Sequence, residues 1–264
     1  KNYRNGTQFY VQLVDSYSNP LANRTVSITI NGRTYNRTTD VNGWATMNIN
    51  LQPGEYEALC AYYGPQKSDN AFAKAVIKVL PTILADNLVK YYLNGSQFHV
   101  KVIDGSGNPI VNTNVSMNIN GVFYVRQTNS EGIATLNIKL WSGKYILTVH
   151  NHYDGLLKSF DVTVLPTIES NDLVKYYHND SQFYAKFVDG AGNPLVNTKV
   201  KFNINGVLYT SETNGEGVAK LNINLNPGEY ILTSIHPNGL QVGKKVTVLP
   251  TLEGSDLTMN YKDG

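Results

Sequence analysis

Five histidines occur in the chain, and only His150 and His152 stand close together. Two residues apart on a strand they face the same way, and two neutral imidazoles can begin a Zn2+ or Cu2+ site. The pair occurs once, where a strand meets a loop, so ordinary exposed histidines are expected. Asp104-x-Ser106-x-Asn108 places oxygens as a calcium loop begins, but the bidentate Glu that such a loop needs is replaced by Val115. The corresponding third position of a later copy is Ala191, so the Asp and Asn side chains are expected to cap a turn through backbone N–H groups. No His/Ser/Asp or His/Glu spacing recurs, and the sequence therefore predicts no catalytic residue, no metal and no cofactor. Cys60, the single cysteine, aligns with Val149 and Ser234 and is expected as a small core residue rather than a reactive thiol.

Lysine, asparagine and tyrosine carry the other candidates. Lys1, Lys90 and Lys175 align ahead of Gln8, Gln97 and Gln182. An amide bond from such a lysine to an Asn of the last strand would weld a sandwich that has no disulfide, although the last strands share no Asn or Asp position. Asn-x-Ser/Thr acceptors occur at Asn5, Asn94 and Asn179, in the same place each time, and also at Asn23, Asn36 and Asn114. The three aligned ones are candidate N-glycosylation sites. Of the 18 tyrosines, the pairs Tyr62-Tyr63, Tyr91-Tyr92 and Tyr176-Tyr177 should each send one ring inward and one outward. Tyr56, Tyr145 and Tyr230 align across copies, which points to architecture.

Those alignments rest on a threefold repeat. Asn5-Gly6-Thr7-Gln8-Phe9 returns as Asn94-Gly95-Ser96-Gln97-Phe98 and as Asn179-Asp180-Ser181-Gln182-Phe183. A period of roughly 85–90 residues means copies of a whole small domain, not solenoid units. The copies are read as residues 1–85 (first strand incomplete), 86–170 and 171–254, with 255–264 opening a fourth.

Within the second copy Phe98–Val102, Val115–Ile119 and Ala134–Ile138 alternate apolar and polar, the mark of half-buried strands. Asn31-Gly32, Asn120-Gly121 and Asn205-Gly206 are two-residue hairpin signals. Seven or so short strands per copy predict an all-β chain of tandem immunoglobulin-like β-sandwiches. The joints Leu80-Pro81-Thr82-Ile83, Leu165-Pro166-Thr167-Ile168 and Leu249-Pro250-Thr251-Leu252 are short and stiffened by proline, which favours an elongated, monomeric rod. Its length would be on the order of 100 Å, from strands of ~17–20 Å plus turns.

A net charge of +2 with 16% charged residues gives no basic face for nucleic acid. No apolar stretch approaches the ~20 residues of a membrane-spanning helix, and no membrane contact by this stretch is expected.

The succession Asp189 to Pro194, Thr213-Asn214-Gly215-Glu216-Gly217-Val218-Ala219 and Pro227-Gly228-Glu229-Tyr230 resembles bacterial Ig-like domains of the invasin/intimin (Big_1) type. The Asn-rich stretches Val174-Lys175-Tyr176-Tyr177 and Phe202-Asn203-Ile204-Asn205-Gly206 are similar to large adhesin-like surface proteins of methanogenic archaea. The resemblance covers all three copies. It implies an extracellular, cell-surface array without enzyme activity, serving as a stalk that projects a distal binding head and contributing to cell–cell adhesion. Its expected partners are other cells, cell-wall glycans or surface proteins. In the alternative reading, the copies themselves bind a glycan or a partner-cell protein with avidity.

Overall fold

The structure is a computed structural model that describes residues 1–259. The last part of the expected fourth copy, 260–264, lies outside the described residues, and 255–259 carry no strand. The first repeat forms β1 (Gln8–Gln12), β2 (Thr25–Ile30), β3 (Arg33–Thr38), β4 (Trp44–Asn48), β5 (Gly54–Tyr62) and β6 (Ala71–Val79). There follow β7 (Ile83–Leu84), β8 (Leu88–Tyr91), β9 (Gln97–Val102), β10 (Asn114–Ile119), β11 (Val122–Gln127), β12 (Ile133–Asn137), β13 (Gly143–Asn151) and β14 (Leu157–Leu165). β15 (Ile168–Ser170) stands just ahead of residue 171, and the third repeat gives β16 (Leu173–Tyr176), β17 (Gln182–Phe187), β18 (Lys199–Ile204), β19 (Val207–Glu212), β20 (Val218–Asn222), β21 (Gly228–Ile235) and β22 (Gln241–Leu249). Among the described residues the only helical element is one 3-10 turn, Lys67–Asp69, in the longer loop peculiar to the first repeat.

Period two makes these strands. In β10, Val115, Met117 and Ile119 are buried while Asn114, Ser116 and Asn118 are not. Each Asn-Gly pair holds positive φ at both residues, for instance 52° at Asn120 and 76° at Gly121, which is the type I′ geometry of a tight hairpin. The three hairpins so made are β2–β3, β10–β11 and β18–β19. The fold is thus all-β, tandem immunoglobulin-like sandwiches, as the sequence predicts.

The chain forms two compact units, one of residues 1–87, 98–136 and 146–160, the other of 88–97, 137–145 and 161 onward. In the first, a four-stranded sheet runs β3-β2-β5-β6, β1 pairs with β4, and β12-β9-β7 make a three-stranded sheet. Phe98 on β9 meets Phe160 on β14 at 5.5 Å between ring centroids, so inward faces of two sheets touch there. In the second unit a five-stranded sheet, β16-β22-β21-β18-β19, faces a three-stranded one, β15-β17-β20, with Phe183 and Phe202 in edge contact at 5.9 Å.

The entry to the third repeat changes sheets. β15 pairs antiparallel with β17 in the small sheet, and after Asn171-Asp172 the chain runs as β16 parallel to β22 in the large one. First and last strands of a repeat therefore lie side by side and parallel. β8 and β14 repeat the arrangement, with Leu88 opposite Val162 and Tyr91 opposite Leu165, and an isolated parallel bridge joins Asn2 to Leu80.

Three glycines let the loops close. Gly43, Gly132 and Gly217 have φ near 75°, and an added Cβ would lie 2.5, 2.7 and 2.5 Å from the carbonyl oxygens of Leu13, Val102 and Phe187. Gly121 also has positive φ but nothing within 4 Å of a Cβ. Gly121→Ala should therefore cost only the left-handed backbone penalty, about 1–2 kcal/mol, and Gly132→Ala clearly more, because backbone must move as well. Urea unfolding of the two variants measures the difference; equal costs would contradict the close approach.

Candidate functional site

Two kinds of site recur through the molecule: a groove beside the strand that changes sheets, and a cluster of polar side chains where one repeat meets the next.

The larger groove, about 830 Å3, lies in the second unit and is lined by Glu169, Asp172, Tyr184, Lys186, Val242 and Lys244 among others. Its counterpart in the first unit, about 460 Å3, is lined by Leu84, Asp86, His99, Lys101 and Lys158. The size difference has a direct cause. Phe160 fills the space against Phe98, whereas the third repeat carries Lys244 in that position. Lys101 matches Lys186 and the apolar Ile133 matches Val218, but His99 stands where Tyr184 stands, and Leu84 where Glu169 stands.

The aligned lysines do something else. Lys90 and Lys175 are buried, at 4% and 5% exposure, and each donates to two backbone carbonyls. Lys90 Nζ lies 3.0 Å from Ser96 O and 2.9 Å from Ile138 O, and Lys175 Nζ 3.2 Å from Ser181 O and 2.9 Å from Ile223 O. Lys1 repeats this with Thr7 O at 2.8 Å and Ile49 O at 3.1 Å. Burial pushes the Lys1 and Lys90 ammonium groups below their ordinary value. The amine that is a candidate for welding first strand to last is held by carbonyls of the following turn and of the stretch after β4, β12 or β20.

Four residues beyond each lysine comes the aligned asparagine. The turn between them is left-handed at a non-glycine residue each time, with φ of 61° at Arg4, 58° at Leu93 and 60° at His178. Asn5, Asn94 and Asn179 use Oδ1 to hold the backbone N–H two residues on, at 2.7–2.8 Å. That leaves Nδ2, the atom a glycan would occupy. In Asn5 it donates to Gly105 O at 2.7 Å, and in Asn94 to Gly190 O. Asn179 is exposed.

The acceptor glycines sit in loops shaped by their first residue. Asp104 Oδ1 accepts from the N–H groups of Ser106 and Asn108 at 2.8 Å, and Oδ2 accepts from Asn108 Nδ2 at 3.1 Å. Asp15 and Asp189 do the same with Asn19 and Asn193, and these hydrogen bonds hold all three carboxyls below the usual carboxylate range. The oxygens that resemble a calcium set are engaged in capping the turn.

Linker threonines complete the cluster. Thr82 and Thr167 are fully buried, and their carbonyls accept from Ile103 N and Val188 N, each at 3.0 Å. Thr82 Oγ1 donates to Asp154 Oδ2, and Thr167 Oγ1 accepts from Asn238 Nδ2 at 3.2 Å. His236 braces that last loop. Its Nε2 donates to Val188 O at 2.9 Å, and Nδ1 accepts from Asn238 N at 3.0 Å, which fixes the neutral tautomer. Burial holds its pKa below the ordinary histidine value.

The remaining candidates fall into place as architecture. Tyr56, Tyr145 and Tyr230 each donate to the carbonyl four residues earlier, at 2.9 Å. Cys60 is buried and its thiol pKa is raised by burial. His150 and His152 share a face with centroids 4.2 Å apart, and His152 Nε2 lies 2.6 Å from Ser116 Oγ. Of the tyrosine pairs, Tyr62 is buried and Tyr63 66% exposed, as period two requires.

No protein-family model and no curated protein matches the chain. Among solved structures it is similar to SGBP-B of the Bacteroides ovatus mixed-linkage glucan utilization locus, in complex with a mixed-linkage heptasaccharide. That match has 15% identity and a TM-score of 0.27, over 94% of this chain and 65% of that one. It is similar also to a Ca2+-stabilized adhesin of an Antarctic bacterium that binds ice, with 14% identity, 96% and 72% coverage and a TM-score of 0.23. A third is invasin, a bacterial integrin-binding protein, with 17% identity, 94% and 57% coverage and a TM-score of 0.28. This chain spans just under two thirds of the first of these proteins. Likeness of this degree carries no argument about what the chain binds.

Two outcomes follow. Lys90→Met leaves Ser96 O and Ile138 O without their charged donor and should cost about 2 kcal/mol of stability, read by chemical unfolding; an unchanged midpoint would contradict the role given to Lys90. For His236 the folded pKa lies below the unfolded one, so the unfolded chain takes up the proton first. Stability should fall as pH drops below about 6.5 toward the folded value. His236→Asn, which installs the residue the second repeat has there (Asn151), should remove that acid-side loss, measured as Tm between pH 7.5 and 5.5.

Proposed function

We propose that this chain is part of an extracellular, cell-surface adhesin-like protein and acts there as stalk, holding a binding head away from the cell and so contributing to adhesion between cells. The domains that do so are the three copies, 1–85, 86–170 and 171–254. The observation that carries the reading is the parallel pairing of first and last strands, β8 with β14 and β16 with β22. Tension applied through the two ends of such a repeat pulls the paired strands in opposite directions along their length. All hydrogen bonds of the ladder are then loaded together rather than opened one after another.

The groove linings favour the same reading. A binding repeat working by avidity needs like side chains at like places, whereas His99 and Tyr184, or Leu84 and Glu169, offer different chemistry. One feature supports the second reading, that the repeats bind glycans or partner proteins: Tyr63 and Phe72 are 66% and 68% exposed and meet edge to face at 5.7 Å, an aromatic surface open to a ligand.

Force spectroscopy separates strength from mere length. Pulled from its two termini, the chain should give one high-force rupture for each of the second and third repeats, which carry the parallel ladders, and the same chain pulled through handles on β21 and β22, across an antiparallel ladder, should open at clearly lower force. Equal forces in both geometries would remove the mechanical reading, and saturable binding to a glycan array would move the function to the exposed aromatic surface.

A further inference from the structure

The turn after each first strand meets the same partner in two of the three repeats. In the first unit a Cβ on Gly105 would lie 2.8 Å from Asn5 N and 2.9 Å from Arg4 C, while Asn5 Nδ2 takes the Gly105 carbonyl. In the second unit Asn94 takes the Gly190 carbonyl, and a Cβ on Gly192 would fall 2.5 Å from the Tyr91 ring. So in both an asparagine takes the carbonyl of the first glycine of an Asp-Gly-x-Gly-Asn-Pro loop, while the close approach falls on that glycine in the first unit and on the second glycine, against the tyrosine ring, in the second unit. The linker threonine beside each contact is fully buried.

The third repeat presents the same apparatus uncovered. His178 has the same left-handed φ, Asn179 N donates to Tyr176 O at 3.1 Å as Asn5 N does to Asn2 O, and Asn179 Oδ1 holds Ser181 N at 2.8 Å. The turn is therefore built. Yet Tyr176 is 57% exposed, Asn179 and Thr251 are exposed, and Leu252 is 88% exposed, where the equivalent Ile83 and Ile168 are buried. An amide nitrogen, a tyrosine ring and an apolar linker residue thus face solvent in the arrangement that elsewhere seats a glycine loop.

We infer that Tyr176, Asn179, Thr251 and Leu252 form a docking face for a further sandwich of this kind, recognised through the carbonyl of the first glycine and the bare Cα of the second in its Asp-Gly-x-Gly-Asn-Pro loop. The face is selective. The first repeat's own loop is Asp15-Ser16-Tyr17-Ser18-Asn19-Pro20, with serines at both glycine places. With a tyrosine on this face, as in the second unit, Ser18 would bring its Cβ to the Gly192 position, 2.5 Å from the ring, so a second copy of this chain does not seat there by its first repeat. The inference concerns which module follows which, and holds whether the array bears tension or binds a ligand.

The test is the full chain lengthened by a copy of residues 171–254 placed after Gly254, made in two forms. One keeps the glycine loop; the other carries Gly190→Ser, Ala191→Tyr and Gly192→Ser in the added copy. Amide hydrogen exchange is read at the added copy's Val188, the counterpart of the amide that bonds Thr167 O. The glycine form should exchange there at least about fivefold more slowly than the serine form, the worth of roughly one hydrogen bond, and Asn179→Ala in the glycine form should abolish the difference. Slow exchange at the added copy's Phe202 in every form shows that the module has folded. Equal rates at Val188 in the three folded forms would overturn the inference.

Discussion

One lysine ammonium closes each repeat. Removing an ammonium from water costs several kcal/mol unless its protons find acceptors, and here the acceptors are two main-chain carbonyls from different stretches of chain. Lys90 can reach Ser96 O and Ile138 O together only if β8 lies along the edge of β14 and the chain turns back directly afterwards. Tyr3, Tyr92 and Tyr177 then complete that edge by donating to Leu80, Leu165 and Leu249 O at 2.8–2.9 Å. The left-handed residue that follows and the asparagine two places later than the tyrosine inherit their positions from this closure.

The joint between repeats is built from what the closure leaves over. Asn5 and Asn94 spend one side of the amide on their own turn and the other on a glycine carbonyl far along the chain. Thr82 and Thr167 have no room for water and satisfy both hydroxyl and carbonyl on the loops they touch. The threonine of each linker is thus held to the following loops by hydrogen bonds, beyond the restriction its proline places on the backbone.

Much of this fold is legible in the residues. Alternation marks the strands, Asn-Gly marks the hairpins, and Asp104 with Asn108 reads correctly as a capped turn because the bonds that form it are local. Tyr56, Tyr145 and Tyr230 read as architecture for the same reason, each reaching only four residues back. The parallel pairing was not legible. Alternation in β8 says which residues point inward and nothing about which strand lies alongside. Nor does Lys90 announce its burial: an aligned lysine suits a covalent weld as well as a carbonyl clip, and the choice depends on Ile138, 48 residues away. Asn5 and Asn94 likewise fit a glycan acceptor motif, while the use of Nδ2 is fixed by glycines about a hundred residues later.

Native-state hydrogen exchange at the amides of Tyr92 and Tyr177 tests the closure most directly. If the lysine fixes the first strand against the last, these amides exchange only through opening of the whole repeat, as slowly as those of Val149 and Leu232 in the core. Exchange orders of magnitude faster than the core, the behaviour of a fraying edge strand, would contradict it.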